Sequence, residues 1–338
     1  MEMKPLRVGV IGLGVGEQHI YGFQAAGAEV TALCDIDPQK RSNAQIKYPK
    51  CTIYKTAEKL ISSADVDVVS IASYDNHHAS QVVCALDAGK HVFCEKPLCL
   101  TSYELSRIYS ALMRNSGVRL STNTILRMSR RFCDVHDRIA EGELGRLYYV
   151  EADYNYGRLD KLMKGWRGQI PNYSVMLGGG IHMVDLLIWM VGSEVAEVSA
   201  VGNKMCSVGS AFTTPDMVIA WLKFEDGTIG KVGANFGCVH PHFHNISLYG
   251  KKATFVNNIH QSFVIESRDS SAEIIPITSL YPGVGKGDLI PSFVDAILGR
   301  GSPVVDEKAV FAAMSTCLAI DRSLQTGKPE SVESYGLP

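Results

Sequence analysis

Arg7-Val8-Gly9-Val10-Ile11-Gly12-Leu13-Gly14-Val15-Gly16 decides the fold. A short apolar run enters a glycine turn, and a segment of helical character follows. Glycine lets the chain turn sharply and lets backbone N–H groups approach a pyrophosphate, whose charge the next helix N-terminus favours. The spacing departs from G-x-G-x-x-G, because Glu17 stands where the third glycine would. The loop therefore reads as one residue shorter, with Gly16 in the third role. Taken alone, such a turn also serves as a plain strand-to-helix connection.

Its surroundings narrow the choice. A second apolar run, 28–34, ends at Asp35, about twenty residues after the glycines, where an acidic side chain accepts hydrogen bonds from ribose hydroxyls and repels a 2′-phosphate. Asp37 either shares that role or caps the turn before Pro38. Further apolar runs lie at 66–72 and 90–94, with helical character at 57–63 and 78–88. Continuous apolar runs alternating with helices predict a doubly wound parallel sheet, the α/β dinucleotide-binding architecture. Thr101-Ser102-Tyr103-Glu104 is a capping box, followed by Leu105, Ile108 and Leu112 on one face and by Gly117 as a stop.

After residue 124 the pattern changes. Residues 146–156, 195–202, 216–224, 228–236 and 245–256 read as strands joined by turns such as Glu225-Asp226-Gly227. Helical stretches lie at 129–141, 180–191, 288–299 and 306–326. This half predicts an α+β domain with a large, mostly antiparallel open sheet. With 338 residues, the chain divides into a Rossmann domain, 1–124, and a substrate-binding domain, 125–338.

Composition excludes some functions. A net charge of -2 argues against electrostatic binding of nucleic acid. No apolar run spans a bilayer, and the N-terminus shows no secretion signal. The nine cysteines are an odd number without a CxxC pair, so they read as reduced thiols of a cytoplasmic protein. Two glycosylation sequons, Asn172-Tyr173-Ser174 and Asn245-Ile246-Ser247, have no consequence there.

Three groups of residues suggest chemistry. The fourth apolar run ends in Glu95-Lys96-Pro97, at a strand's carboxyl end where ligands of open α/β sheets bind. Pro97 favours an extended Lys96, whose amine is a candidate acid or base; the alternative is an ordinary surface lysine. In Gly178-Gly179-Gly180-Ile181-His182-Met183-Val184-Asp185, His182 and Asp185 share a helix face. They are either an acid/base pair or a core histidine with its partner. His240, His242 and His244 alternate but lack carboxylate or cysteine neighbours at ligand spacing, so no metal site is expected. Gly283-Val284-Gly285-Lys286-Gly287 lacks the serine or threonine of a P-loop and reads as a mobile loop. There is no G-x-S-x-G nucleophile elbow.

Gly12–Gly16, Asp35, Glu95-Lys96-Pro97 and the glycine-rich stretch ending in His182 together resemble the glucose–fructose oxidoreductase/inositol dehydrogenase/rhizopine catabolism (Gfo/Idh/MocA) family. Ala88-Gly89-Lys90-His91-Val92 leading into Glu95-Lys96-Pro97 is the most specific part, and Phe293–Pro303 looks like the family's closing region. The resemblance spans nearly the whole chain. It implies reversible oxidation of a secondary alcohol on a sugar, polyol or nucleotide sugar, with NAD as cofactor. It also implies a homodimer or homotetramer formed through the C-terminal sheet.

Residue by residue, the resemblance makes Lys96 and His182 catalytic and Asp185 the acidic residue one turn on. It makes Lys96, Arg127 and His182 substrate contacts. Gly12, Leu13, Gly14, Val15, Gly16, Asp35, Glu95 and Lys96 would hold the cofactor. Ala72, Ser73 and His78 fall where the family's chain passes near the nicotinamide, and Trp166-Arg167 resembles a pair that reaches cofactor or substrate. Apart from the resemblance, Arg127 and Arg167 are expected to steer any anionic group; with Arg158 they hint at a carboxylate or phosphate on the substrate, or are ordinary loop arginines. Two positions depart from the family: Gly178 replaces the usual Asp four residues before the histidine, and Asp75 replaces the usual Asn. The gap at Gly178 leaves open a dinucleotide-bound sensor without chemistry. A third reading is an oxidoreductase that recycles tightly held NAD.

Overall fold

The computed structural model describes residues 4–171 and 173–337. Asn172 of the first sequon lies outside the described residues. The chain forms two compact units. The first runs to Ile125 and takes in Val284–Val310; the second comprises Leu126–Gly283 and Phe311–Gly336.

The first unit holds six parallel strands, β1 (Arg7–Ile11), β2 (Glu29–Cys34), β3 (Thr52–Tyr54), β4 (Val68–Ile71), β5 (His91–Cys94) and β6 (Leu120–Thr122). Their order is β3-β2-β1-β4-β5-β6. Val8, Val10, Val68, Val69, Val92 and Phe93 are fully buried, as strands covered on both faces require. The connections are α1 (Gly16–Ala25), α2 (Pro38–Lys47), α3 (Ala57–Ile61), α4 (Asp75–Asp87) and α5 (Ser102–Arg114). The capping box of α5 is complete, with Glu104 N donating to Thr101 Oγ1 at 3.2 Å and Thr101 N to Glu104 Oε2 at 3.1 Å. Strand order reverses between β1 and β4, so the turns after these strands diverge and open a crevice.

The second unit holds nine strands, β7 (Leu147–Asn155), β8 (Val195–Asn203), β9 (Met217–Phe224), β10 (Ile229–Asn235), β11 (Phe243–Gly250), β12 (Thr254–Asn257), β13 (Ser262–Ile265), β14 (Ile274–Pro276) and β15 (Glu330–Ser331). Their order is β14-β13-β12-β11-β7-β10-β9-β8-β15, and only β7 and β10 pair in parallel. The predicted strand 245–256 is two strands. Its chain reverses at Gly250, whose N–H bonds the Ala253 carbonyl at 2.9 Å. Helices α6 (Arg130–Ala140), α7 (Asp160–Met163) and α8 (Ile181–Val191) belong here. Ile181 to Ile188 of α8 are all buried, as expected of a helix without a polar face. A single π turn, Met176–Gly180, leads into it.

The chain then returns to the first unit through α9 (Ile290–Ile297) before α10 (Glu307–Thr326). The physical reason lies in two contacts. Phe293 packs its ring 5.6 Å from that of Phe93, and Gly287 lies so close to α1 that a Cβ there would sit 2.8 Å from the Gln18 carbonyl oxygen. The loop 283–287 is therefore docked rather than the loose segment its glycines predict. No helix among the described residues is long and apolar enough to cross a membrane.

Candidate active site

In the first unit the glycine turn meets the turn after β4. Gly12 has φ +90°, and a Cβ there would collide with the Ala72 carbonyl and lie 2.8 Å from Ser73 N. Gly16 opens α1, where a Cβ would press on Val10 Cγ1 at 2.9 Å and Ala72 Cβ at 3.3 Å. It permits close helix–strand packing, the third glycine's role. Gly14 and Val15 between them face solvent. At the end of β2, Asp35 Oδ2 accepts Leu13 N at 2.7 Å and Oδ1 accepts Asp37 N at 2.9 Å. Leu13 thus gives its N–H to Asp35, and Asp37 caps α2 by accepting Gln39 N. Lys40 Nζ stands 3.6 Å from Asp35 Oδ2.

Lys96 follows β5 at the same edge, half-buried, with a cis bond to Pro97. Beside it, Glu95 anchors a buried network that the sequence did not reveal. Glu95 Oε1 meets His19 Nε2 at 3.2 Å and Asn123 Nδ2 at 2.7 Å, and Lys286 Nζ lies 3.8 Å from Oε2. His19 Nδ1 meets Ser70 Oγ at 2.9 Å. Burial would raise the Glu95 carboxyl, but Lys286, His19 and Asn123 outweigh it and hold it well below the usual carboxylate range. The Ser70–His19–Glu95 line resembles a nucleophile triad, yet Ser70 and His19 are fully buried, so its task is to join strand ends. Ser73 Oγ donates to Gln81, and Asp75 is the buried first residue of α4. His78 is buried between the same two turns. Its ring nitrogens lie 2.7 Å from the Pro97 carbonyl oxygen and 3.1 Å from that of Ser73, so it clamps the turn after β4 to the turn after β5.

In the second unit His182 sits in the first turn of α8, 6% exposed. Its ring stacks against Tyr154 with centroids 6.1 Å apart. Tyr154 is the hub of an aromatic cluster that includes Tyr156 at 5.5 Å, His242 at 5.0 Å, His244 at 5.3 Å and Phe236 at 5.8 Å. Burial pushes the Tyr154 phenol well up, and burial with His242 beside it pushes His244 down to about 3. His244 is therefore neutral at pH 7, its Nδ1 2.6 Å from the Tyr281 hydroxyl. Asp185 does not present an open carboxylate: Arg127 Nε meets Oδ2 at 3.0 Å and Nη2 meets Oδ1 at 2.8 Å. The expected substrate arginine and the expected acidic residue are thus a buried bidentate pair. Trp166 and Arg167 lie together on a short 3-10 turn, with Arg167 Cζ 4.2 Å from the indole centroid, and Arg158 covers Tyr156. Among the described residues no three His, Cys, Asp or Glu side chains are grouped to hold a metal ion.

Residues 6–124 match the model described as "Oxidoreductase family, NAD-binding Rossmann fold". Residues 132–256 match the Gfo/Idh/MocA C-terminal domain. The chain belongs to the Gfo/Idh/MocA oxidoreductase family. It is 25% identical to 1,5-anhydro-D-fructose reductase of Ensifer adhaerens, over 97% of this chain and 99% of that one. It is 27% identical to myo-inositol 2-dehydrogenase of Thermotoga maritima, over 77% and 78%. Levoglucosan dehydrogenase in complex with NADH and L-sorbose has the same fold, with TM-score 0.87 and 22% identity over 98% of this chain and 100% of that one. So does the WlbA dehydrogenase of Bordetella pertussis in complex with NADH and UDP-GlcNAcA, with TM-score 0.82, 20% identity and coverage of 98% and 100%.

Family membership makes the chain an oxidoreductase with an NAD-binding domain. The structure collects Gly12–Gly16, Asp35, Ala72, Ser73, Glu95 and Lys96 at the carboxyl edge of the parallel sheet. It pairs Arg127 with Asp185 and stacks His182 on Tyr154. Sequence reasoning missed His19, Asn123 and Tyr154. His19 lies one turn into α1 on its buried side, and that position was the available signal.

Proposed function

We propose that this chain is an NAD-dependent dehydrogenase that interconverts a secondary alcohol and a ketone on a sugar, polyol or nucleotide sugar. The observation that carries the reading is Lys96 at the end of β5, on the edge that also presents the Gly12–Gly16 turn and Asp35. That edge fits a dinucleotide. Gly14 has room for a close backbone approach, the ten-residue α1 opens beside it, and the Asp35 carboxylate stands where ribose hydroxyls donate. Bound there, NAD supplies the hydride acceptor. The protein's own part is to move the hydroxyl proton, which we assign to one of Lys96 or His182. Tyr154, Tyr156 and His242 offer apolar ring faces beside His182, suited to the C–H faces of a sugar or cyclitol. The named substrates of the relatives, an anhydrofructose and myo-inositol, agree with this class.

We also infer a homodimer or homotetramer through the open sheet face. The test is NADH absorbance across polyols, free sugars, uronic acids and nucleotide sugars, with Lys96→Ala as control. Turnover of one class that Lys96→Ala abolishes, with NAD still bound, is the expected result. Full turnover by Lys96→Ala would overturn the assignment.

A further inference from the structure

Residues 156–167 carry Arg158, Lys161, Lys164 and Arg167 against a single acid, Asp160, in a chain whose net charge is -2. Asp160 is taken by Lys164, whose Nζ lies 3.0 Å from Oδ2. Among the described residues neither Arg158 nor Lys161 has a carboxylate partner, and both are exposed. Both meet one ring instead: Arg158 Cζ lies 5.2 Å from the Tyr156 centroid and Lys161 Nζ 5.7 Å. A cation over a ring face uses none of its N–H donors, so these remain open to an acceptor. The ring also restricts where each cation can go, which lowers the entropy cost of binding with it.

The segment is fixed at several points. Tyr156 N donates to the Asn235 carbonyl at 2.9 Å. Gly157 has φ +57°, and a Cβ there would collide with the His240 carbonyl, so glycine lets the chain leave β7 beside the turn that follows β10. Leu162 is fully buried and anchors α7. From this rim the rings run inward. Tyr156 lies 5.5 Å from Tyr154 and 5.1 Å from His242, and Tyr154 lies 6.1 Å from His182. Exposure falls along the same line, from Arg158 and Lys161 through half-buried Tyr156 to Tyr154 and His182, 5% and 6% exposed. The Arg158 and Arg167 charges oppose the effect of burial on the Tyr154 phenol, so the cationic field extends to the inner end. Arg127, the other cation expected to steer an anion, is neutralised by Asp185.

We propose that Arg158 and Lys161 form an anion subsite at the outer end of this aromatic line, and that the sugar or polyol bound toward His182 carries a carboxylate or phosphoryl group there. This rests on the dehydrogenase reading above and narrows its substrate class. A guanidinium offers a planar fork of donors and an ammonium a point charge, a combination suited to a group with several anionic oxygens. Together they balance a phosphoryl dianion, and either one balances a carboxylate. A neutral polyol gains nothing from their charge.

The test assays each neutral sugar or polyol beside its uronate, its phosphate ester and, where one exists, its nucleoside-diphosphate ester. An anionic member should have the highest kcat/KM, and which one it is identifies the group bound. Arg158→Gln with Lys161→Gln, at two exposed positions, should raise KM for that member about tenfold with kcat little changed. Added salt should raise the same KM in wild type. Lys164→Gln, whose cation Asp160 already holds, is the control and should leave that KM unchanged. The proposal is overturned if the neutral member is turned over as well as its anionic counterparts, or if the double variant keeps the wild-type KM for the anion. If wild type turns over no member of the panel, the dehydrogenase reading fails by itself. Calorimetric titration with the same phosphate esters and uronates then decides the subsite: weaker binding by the double variant supports it, and equal binding overturns it.

Discussion

Arg127 and Asp185 are 7% and 1% exposed at their side chains, so neither charge has water to replace its partner. Removing one partner of such a pair leaves an uncompensated buried charge, at a typical cost of about 3–5 kcal/mol. Asp185→Ala is therefore expected to lose stability of that order in urea unfolding. Arg127→Met with Asp185→Leu should recover much of it, because apolar groups then replace both charges. If Asp185→Ala instead unfolds like wild type and only kcat falls, Asp185 belongs to the chemistry after all. The sequence could not show this pairing, since the partners are 58 residues apart. Asp35 was legible because its cues are local: a strand end at a fixed distance from a glycine turn. Its carboxylate also keeps Lys40 occupied, with Arg41 close by on the Asp35 and Ile36 carbonyls. Asp35→Ser should weaken NAD and strengthen NADP, each by about tenfold, as one lost charge–dipole contact and one lost repulsion imply. Fluorescence titration with both cofactors checks this, and equal weakening of both would remove Asp35 from the choice of cofactor.

At the scale of the element, the approach to α8 is governed from α10. Ser174 caps the π turn while donating to Asp321, whose Oδ1 has no hydrogen-bond partner among the described residues. Burial raises the Asp321 carboxyl to about 7, with the Ser174 hydroxyl acting the other way. The folded chain thus binds this proton more tightly than the unfolded chain, whose aspartate titrates near 3.9. The stability contributed by the protonated acid is complete below about pH 4 and is lost as pH rises through about 7. Across that window the loss is at most about 4 kcal/mol. Asp321→Asn should flatten the slope and leave the variant more stable than wild type at pH 8, read from urea midpoints at pH 5 and pH 8. An unchanged slope would assign the pH dependence elsewhere. Periodicity located α8 to within a residue, because a fully apolar turn of helix announces itself. The π turn and its cap were not legible, since they depend on Asp321, 147 residues beyond Ser174. Strands β3 and β6, three residues each, are too short to carry a period.

For the whole molecule, alternating strand and helix runs were enough to read the parallel sheet and the change to an antiparallel one. The return of Val284–Val310 to the first unit was hidden, because an apolar helix such as α9 does not name the surface it covers. A sheet's open face is different, since strand parity exposes it in the sequence itself. In β9, Val218, Ala220, Leu222 and Phe224 are buried, while Trp221 on the other face is 53% exposed. Directly opposite residues share a face, so Ser199 and Lys231 flank Trp221, and Val201 and Gly233 flank Ile219. Farther across, Lys231 bridges to Asp153 at 2.7 Å, and Tyr149 stacks on Tyr249 at 5.3 Å. Exposed Trp221 and Val201, with half-buried Ile219, Tyr149 and Tyr249, around a satisfied ion pair have the composition of an interface centre rather than of ordinary surface. A second copy of the same face is self-complementary under a two-fold axis, because each apolar row can meet its own mate. Trp221→Glu places two like charges near that axis and is expected to convert the assembly to monomers in sedimentation velocity. Since the face lies outside the packed core, the thermal midpoint should fall only by what the lost association contributed. If wild type sediments as a monomer, or if Trp221→Glu keeps the wild-type coefficient, this face does not join copies and its apolar row needs another occupant.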